Sequence, residues 1–182
     1  MKKTKPQNNK ATMSANAGFS LVELLIVVVI IGILASLSVL YIFSAKRAAN
    51  TSSALSALRT IHQTQASYSA GVGNGSFGSE NELFVEEYID AAVAAACNPT
   101  PTSTSKGGLA PPTSRPKNGY VFVIIPNNQP DQKTYVATAQ PLIRTGASQS
   151  GDKSFFIDQT GVLRASSLAT DDADITSDPI NN

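Results

Sequence analysis

The chain has 182 residues, with one cysteine, one histidine and no tryptophan, and its formal net charge is +1. A single cysteine excludes an intrachain disulfide, and the cysteine and histidine counts exclude a zinc site of the Cys/His type. The charge is uneven: residues 1–18 carry four lysines and no acid, and the other 10 basic residues face 13 acidic ones, a balance of −3. That balance does not suggest a nucleic-acid-binding surface.

Residues 1–18 are polar and basic, whereas residues 24–45 contain no charged side chain. As a helix, the uncharged run of 22 residues is roughly 33 Å long, enough to cross the hydrocarbon core of a bilayer. The basic leader predicts that the N-terminus stays in the cytoplasm and that the rest is exported.

A secretory signal has a shorter apolar core, with small residues after it. Here the core is longer, and the small residues Ala15, Ala17 and Gly18 precede it. An uncleaved signal anchor remains an alternative.

Residues 18–25 read Gly-Phe-Ser-Leu-Val-Glu-Leu-Leu. Gly18 has no side chain, so nothing of its own shields the peptide bond that follows it. Glu23 places a carboxylate inside an apolar segment, which is costly unless the charge is paired and therefore indicates a function. The string resembles the type III signal of type IV pilins and type II secretion pseudopilins. The resemblance implies cleavage between Gly18 and Phe19, N-methylation of Phe19, and a role for Glu23 in assembly.

The helix is predicted to continue from Phe19 to Ala70, 52 residues or roughly 78 Å, because no proline interrupts it. An apolar stripe recurs at three- and four-residue spacing beyond the membrane. Its positions are Leu55, Leu58, Ile61 or His62, Gln65 and Tyr68. Gly71 is the expected stop. A long helix, half of it transmembrane, resembles the lollipop architecture of pilins.

The segment 72–118 is predicted to be a connecting region. Gly71–Gly78 indicates a flexible hinge rather than a phosphate loop, since neither a preceding strand nor a P-loop lysine is present. Ser79 is expected to cap a short helix that ends near Ala96, with an apolar face of Leu83, Ile89 and Val93. Five prolines in residues 98–118 indicate a surface loop.

The hydrophobic period then changes to two, which predicts four short strands. They are Tyr120–Ile125, Thr134–Ala139, Ser154–Asp158 and Val162–Arg164, and Asp158–Gly161 forms a tight turn. These segments are similar to the sheets of pilin and pseudopilin domains. The fold class is therefore α+β, a long N-terminal helix packed on a small antiparallel sheet.

The predicted segments are a cleaved leader, a transmembrane and filament-core helix, an amphipathic exported helix, the connecting region, a sheet and a mobile acidic tail. Their bounds are 1–18, 19–45, 46–71, 72–118, 119–165 and 166–182.

No catalytic constellation is evident, so an enzyme is not expected. His62 is expected to be a packing or solvated residue, and Cys97 a small buried one. Four acidic residues of the tail are weak calcium candidates, but their spacing does not match an EF-hand loop. They are Asp171, Asp172, Asp174 and Asp178. No cofactor is otherwise expected.

The resemblance implies a structural subunit of a type IV pilus or related filament. The alternative is a type II secretion pseudopilin, which builds a short piston-like periplasmic filament; the motif is common to both. Implied partners are the prepilin peptidase/methyltransferase, other pilin subunits, and the assembly ATPase with its platform. The precursor is expected in the inner membrane with its C-terminal domain exported, and no specific nucleic acid is expected. A tip adhesin or DNA-uptake receptor is less favoured, because the charge of −3 beyond residue 18 argues against DNA binding. An electron-conducting filament is less favoured because the aromatic residues Phe19, Tyr41, Phe43 and Tyr68 are few and widely spaced.

Overall fold

The computed structural model describes residues 18–110, 112–130 and 132–180, apart from the side chains of residues 38–40 and 132. The predicted leader, up to residue 17, lies outside the described residues. The chain divides into two compact units, Met1–Val39 and Leu40–Asn182. Helix α1, Leu21–Ala70, runs through both units. The predicted long helix is therefore confirmed, and it begins two residues later than expected.

In the first unit, every helical side chain from Leu21 to Leu37 is exposed. Valine, leucine and isoleucine dominate this stretch, so it has no polar face to present to water.

In the second unit, α1 buries one stripe. Leu58, Ile61 and Gln65 are fully buried and Tyr68 is nearly so, at the spacing predicted from the sequence. Ala54 and Ala57 extend the stripe towards the start of the unit. The helix ends where predicted, since the Gly71 N–H donates back to the Ser67 and Tyr68 carbonyls.

The described strands form one antiparallel sheet with the order β1-β2-β3-β4-β5. The strands are β1 Tyr120–Gln129, β2 Gln132–Pro141, β3 Phe155–Asp158, β4 Arg164–Ala165 and β5 Asp178–Pro179. β1 and β2 form a long hairpin, with Tyr120 opposite Pro141 and Gln129 opposite Gln132. The first two strands are longer than predicted because their ends carry polar residues that pair through the backbone. The α+β class is confirmed.

The core of the second unit joins the α1 stripe to the inner face of the sheet. Leu58 and Ile61 share one hydrophobic cluster with Phe122, Phe155 and Ile157. Fully burying a side chain of this size contributes about 1.5–3 kcal/mol. Asp158–Gly161 is the predicted turn: Gly161 has φ 76°, and its N–H donates to the Asp158 carbonyl at 3.0 Å.

The helix predicted from Ser79 to Ala96 is wrong in its length. The structure has two helices here, α2 Glu80–Val85 and α3 Ala91–Ala96. Glu87 adopts φ 62° between them, and the Asp90 side chain caps α3 by accepting from the Val93 N–H at 2.6 Å. The break follows from this second cap, although the predicted apolar residues remain buried.

The predicted flexible hinge is held at its C-terminal end by side chains from outside the loop. Gln65 exchanges two hydrogen bonds with the Gly78 backbone, at 2.6 and 2.9 Å. The Asn128 side chain exchanges two more with Phe77, both at 2.9 Å. Gln65 and Asn128 lie outside the loop in the sequence. The loop sequence by itself therefore showed only its glycines, which indicated flexibility.

The acidic tail is folded against the sheet rather than extended into solvent. β5 pairs with β4, and Ala169 and Ala173 are buried. Buried Ser154 anchors this segment: its hydroxyl donates to the Asp171 carbonyl and accepts from the Ala173 N–H. The expectation of a mobile tail is therefore wrong for residues 166–180.

Candidate processing and assembly site

The predicted cleavage point lies in an exposed segment just before α1. Gly18, Phe19 and Ser20 have no regular structure, and the Phe19 side chain is 87% exposed. A Cβ added to Gly18 would meet no atom within 4 Å. Within the described chain, nothing therefore requires glycine here, and any requirement must come from a molecule that approaches this bond.

Ser20 and Glu23 form a reciprocal cap at the start of α1. The Ser20 N–H donates to Glu23 Oε2 at 2.9 Å, and the Val22 N–H donates to Ser20 Oγ at 3.3 Å. This pair satisfies donors that the first helical turn leaves without carbonyl partners. Sequence reasoning missed Ser20, although Ser-Leu-Val-Glu before an apolar run is the spacing of a capping box.

Glu23 is exposed and close to the predicted new N-terminus. Among the described residues, no lysine or arginine forms a salt bridge with it. Phe19 precedes it by four residues, about one helical turn. An amine created at Phe19 would be closer to Glu23 along the sequence than any lysine or arginine is.

The segment after Glu23 has the length and hydropathy of a membrane span. Among the described helices, α1 alone is long and apolar enough to cross a membrane, and the mean hydropathy of its most apolar stretch is 2.9. None of that stretch is buried within the protein. Among the described residues, no protein core therefore covers these apolar side chains.

Residues 13–39 match the family described as the prokaryotic N-terminal methylation motif. The chain carries a prepilin-type signal. This motif is characteristic of type IV pilin and pseudopilin precursors. It covers the segment that contains Gly18, Phe19 and Glu23, and residues 13–17 of it lie outside the described structure. No curated protein and no solved structure matches the chain.

Two of the weak calcium candidates, Asp172 and Asp174, contact other groups of the protein. Asp172 pairs with Arg144 at 2.7 Å. Asp174 Oδ1 accepts from the Thr176 and Ser177 N–H groups, and hydrogen bonds from Thr176, above all, hold the pKa of this carboxyl below its usual range. Among the described residues, no group of three or more His, Cys, Asp or Glu side chains is placed to hold a metal. These four residues stay weak calcium candidates, and calcium binding by them is untested.

His62 and Cys97 both lie in the packed second unit. His62 Nδ1 lies 2.6 Å from the Tyr135 hydroxyl oxygen, and burial followed by the charge of Asp158 raises the pKa of Tyr135. Cys97 is 1% exposed, and burial followed by the charge of Glu80 raises the pKa of its thiol to about 12. A thiolate nucleophile is not expected at this position.

Proposed function

We propose that this protein is a structural subunit of a type IV pilus or a related filament, made as a membrane-anchored precursor. The observation that carries the proposal is the methylation motif at residues 13–39, placed across the start of an exposed apolar helix. Prepilin peptidase cuts between Gly18 and Phe19, and Phe19 is methylated on nitrogen. The protein acts by polymerising and performs no catalysis itself.

The proposed assembly step uses charge pairing in an apolar environment. After cleavage, the amine of Phe19 and the carboxylate of Glu23 lie at one end of an uncharged helix. An unpaired charge inside a helical bundle is costly, and pairing with the opposite charge on a neighbouring subunit removes that cost. Such a pair fixes the axial position of one subunit against the next. An assembly ATPase and its platform extract the helix from the inner membrane as the pair forms.

Mass spectrometry of the mature protein tests the processing step. We expect loss of residues 1–18 and a mass increase of one methyl group on Phe19. Gly18→Val should leave the full-length precursor in the membrane, because a branched side chain next to the scissile bond obstructs the peptidase. Gly32→Val is the matched control, since Gly32 also has no atom within 4 Å of an added Cβ, and its processing should be normal. A mature N-terminus near residue 36 or 45 would contradict the proposal.

Deletion of the gene in its host separates the two kinds of filament. Loss of long surface filaments, with normal export of proteins, is expected for a pilus subunit. Periplasmic accumulation of exported proteins, with surface filaments unchanged, would instead assign the chain to type II secretion. Both results are compatible with the same processing.

A further inference from the structure

A groove opens in the second unit beside the last turn of the uncharged run of α1. Its volume is about 520 Å³, within the range of small-molecule sites. Phe43 and Lys46 of α1 form one wall, and Ile143 and Ser148 of the β2–β3 connection form the other. Gly119, just before β1, also lines the groove.

The groove is built by hydrogen bonds between segments distant in sequence. Asn50 Nδ2 donates to the Ser150 carbonyl at 2.8 Å, and Ser150 Oγ donates to the Gly119 carbonyl at 2.7 Å. The Ile143 N–H donates to Ser150 Oγ at 3.1 Å. A Cβ added to Gly119 would lie 2.6 Å from that of Ser150, so the close approach requires glycine. Asn50, Ile143 and Ser150 of the lining are therefore held in place before any ligand arrives.

The charge of the groove is opposite to that of the exported chain. No aspartate or glutamate is among its described lining residues, and Lys46 is exposed without an ion-pair partner in the described structure. Its neighbour Arg47 is instead paired with Asp152 at 3.6 Å. A free ammonium in a groove without carboxylates favours an anion.

The apolar part of the lining adds a second requirement. Phe43 is 43% exposed and Ile143 is 44% exposed, so the ligand must tolerate apolar contact next to its anionic group. Phe43 belongs to the uncharged run and Lys46 directly follows its end at Ala45. If the run spans a bilayer, this position is at the depth of the lipid head groups.

We propose that the groove binds one phospholipid head group of net negative charge in the exported leaflet. The Lys46 ammonium contacts the phosphate, the Ser148 hydroxyl donates to a phosphate or glycerol oxygen, and Phe43 and Ile143 contact the glycerol and upper acyl chain. This inference rests on the membrane anchoring in the proposed function. The lipid would position the exported unit at the membrane surface before extraction.

The test uses the full-length chain in nanodiscs of phosphatidylcholine and phosphatidylglycerol at 3:1. Native mass spectrometry of the ejected protein counts the phospholipids that remain bound. The wild type should retain one phosphatidylglycerol. Lys46→Gln should lower the retained fraction about fivefold, the effect of one basic side chain near a charged membrane surface. Ser148→Glu should lower it at least as much, because the new carboxylate repels the phosphate.

Lys133→Gln is the matched control, since it removes one positive charge from an exposed residue outside the groove. Its lipid retention should equal that of the wild type. Equal retention of phosphatidylglycerol by all variants would overturn the lipid site and leave the membrane anchoring intact. So would a wild type that retains phosphatidylcholine as readily as phosphatidylglycerol. The wild type could instead give two chains per disc and Lys46→Gln only one. That result would assign the groove to a second copy of the chain and would overturn the lipid site. Failure of the wild type to insert would overturn the membrane anchoring and the lipid site together.

Discussion

Glu23 has two possible partners at different stages, and the two can be separated chemically. In the structure its carboxylate accepts from the Ser20 N–H and caps its own helix. In the proposed filament the same carboxylate meets the amine of Phe19 on a neighbouring subunit. Glutamine serves in a capping box as glutamate does, but carries no charge. Substitution by glutamine therefore keeps the cap and removes the ion pair.

We expect Glu23→Gln and Glu23→Ala to give processed, membrane-resident monomers with few or no filaments. Glu23→Asp should assemble partly, because the charge is kept while the reach shortens. Ser20→Ala is the control for capping, since it weakens the helix start by about 1 kcal/mol and keeps the charge. Filament yield by electron microscopy is the measurement. Normal yield from both Glu23→Gln and Glu23→Ala would exclude the charge-pairing mechanism.

Cys97 should be unreactive in the folded protein. With its pKa raised to about 12, the thiolate fraction at pH 8 is on the order of a thousandfold below that of an ordinary cysteine. Iodoacetamide should label the native chain correspondingly slowly and the denatured chain at the normal rate. Because the folded state holds this proton more tightly, ionisation lowers the free energy of unfolding as pH rises from about 9 to about 12. Disulfide-linked dimers that disappear in Cys97→Ser would contradict this assignment.

At the scale of the elements, a hydroxyl network holds the C-terminal segment without a disulfide. Ser154 is fully buried, and its hydroxyl accepts from the Ala173 N–H at 2.8 Å. The Ser166 hydroxyl lies 3.0 Å from it and donates to the Leu168 carbonyl. The network connects the residue just before β3 to the chain between β4 and β5. Loss of this network should release the segment between β4 and β5 before the rest of the sheet unfolds.

Ser154→Ala leaves the buried Ala173 N–H without a partner, which costs about 1–3 kcal/mol. We expect a lower denaturant midpoint and earlier proteolysis after residue 166. Ser167→Ala is the matched control, because the Ser167 hydroxyl bond to Asp171 is exposed. Its midpoint should be close to that of the wild type. Equal midpoints for the two variants would show that the network does not hold the segment.

At the scale of the whole molecule, the part of α1 that lies in the second unit and the sheet share one core. Neither the Leu58 stripe nor the inner face of the sheet is covered without the other. The unit Leu40–Asn182 should therefore fold as a cooperative whole once the exposed apolar helix is removed.

A chain that begins at Ala45 should be a soluble monomer with a single unfolding transition, in which the calorimetric and van't Hoff enthalpies agree. Scanning calorimetry and circular dichroism at 222 nm are the measurements. Two separate transitions would mean that helix and sheet are independent. Insoluble material would mean that filament neighbours are needed to close the core.

The sequence alone determined the features whose signals are contiguous. Residues 18–25 lie within the methylation motif, and the 22 uncharged residues at 24–45 give α1 a stretch long enough to span a membrane. The α1 stripe and the Asp158–Gly161 turn were also predicted correctly, because helical spacing and turn chemistry act over a few residues. The capping role of Ser20 could have been predicted in the same way, because its capping-box signal also lies within a few residues, but it was not predicted.

The tertiary structure alone decided the features that depend on distant partners. β5 exists because Asp178 and Pro179 pair with β4, although the tail has the composition of a solvated segment. The glycine loop is fixed by Gln65 and Asn128, 13 and 51 residues from their partners. The groove beside Lys46 joins segments separated by 100 residues, as in the bond from Asn50 to Ser150. Local propensity contains no information about such contacts, because their free energy is gained only when the whole unit has folded.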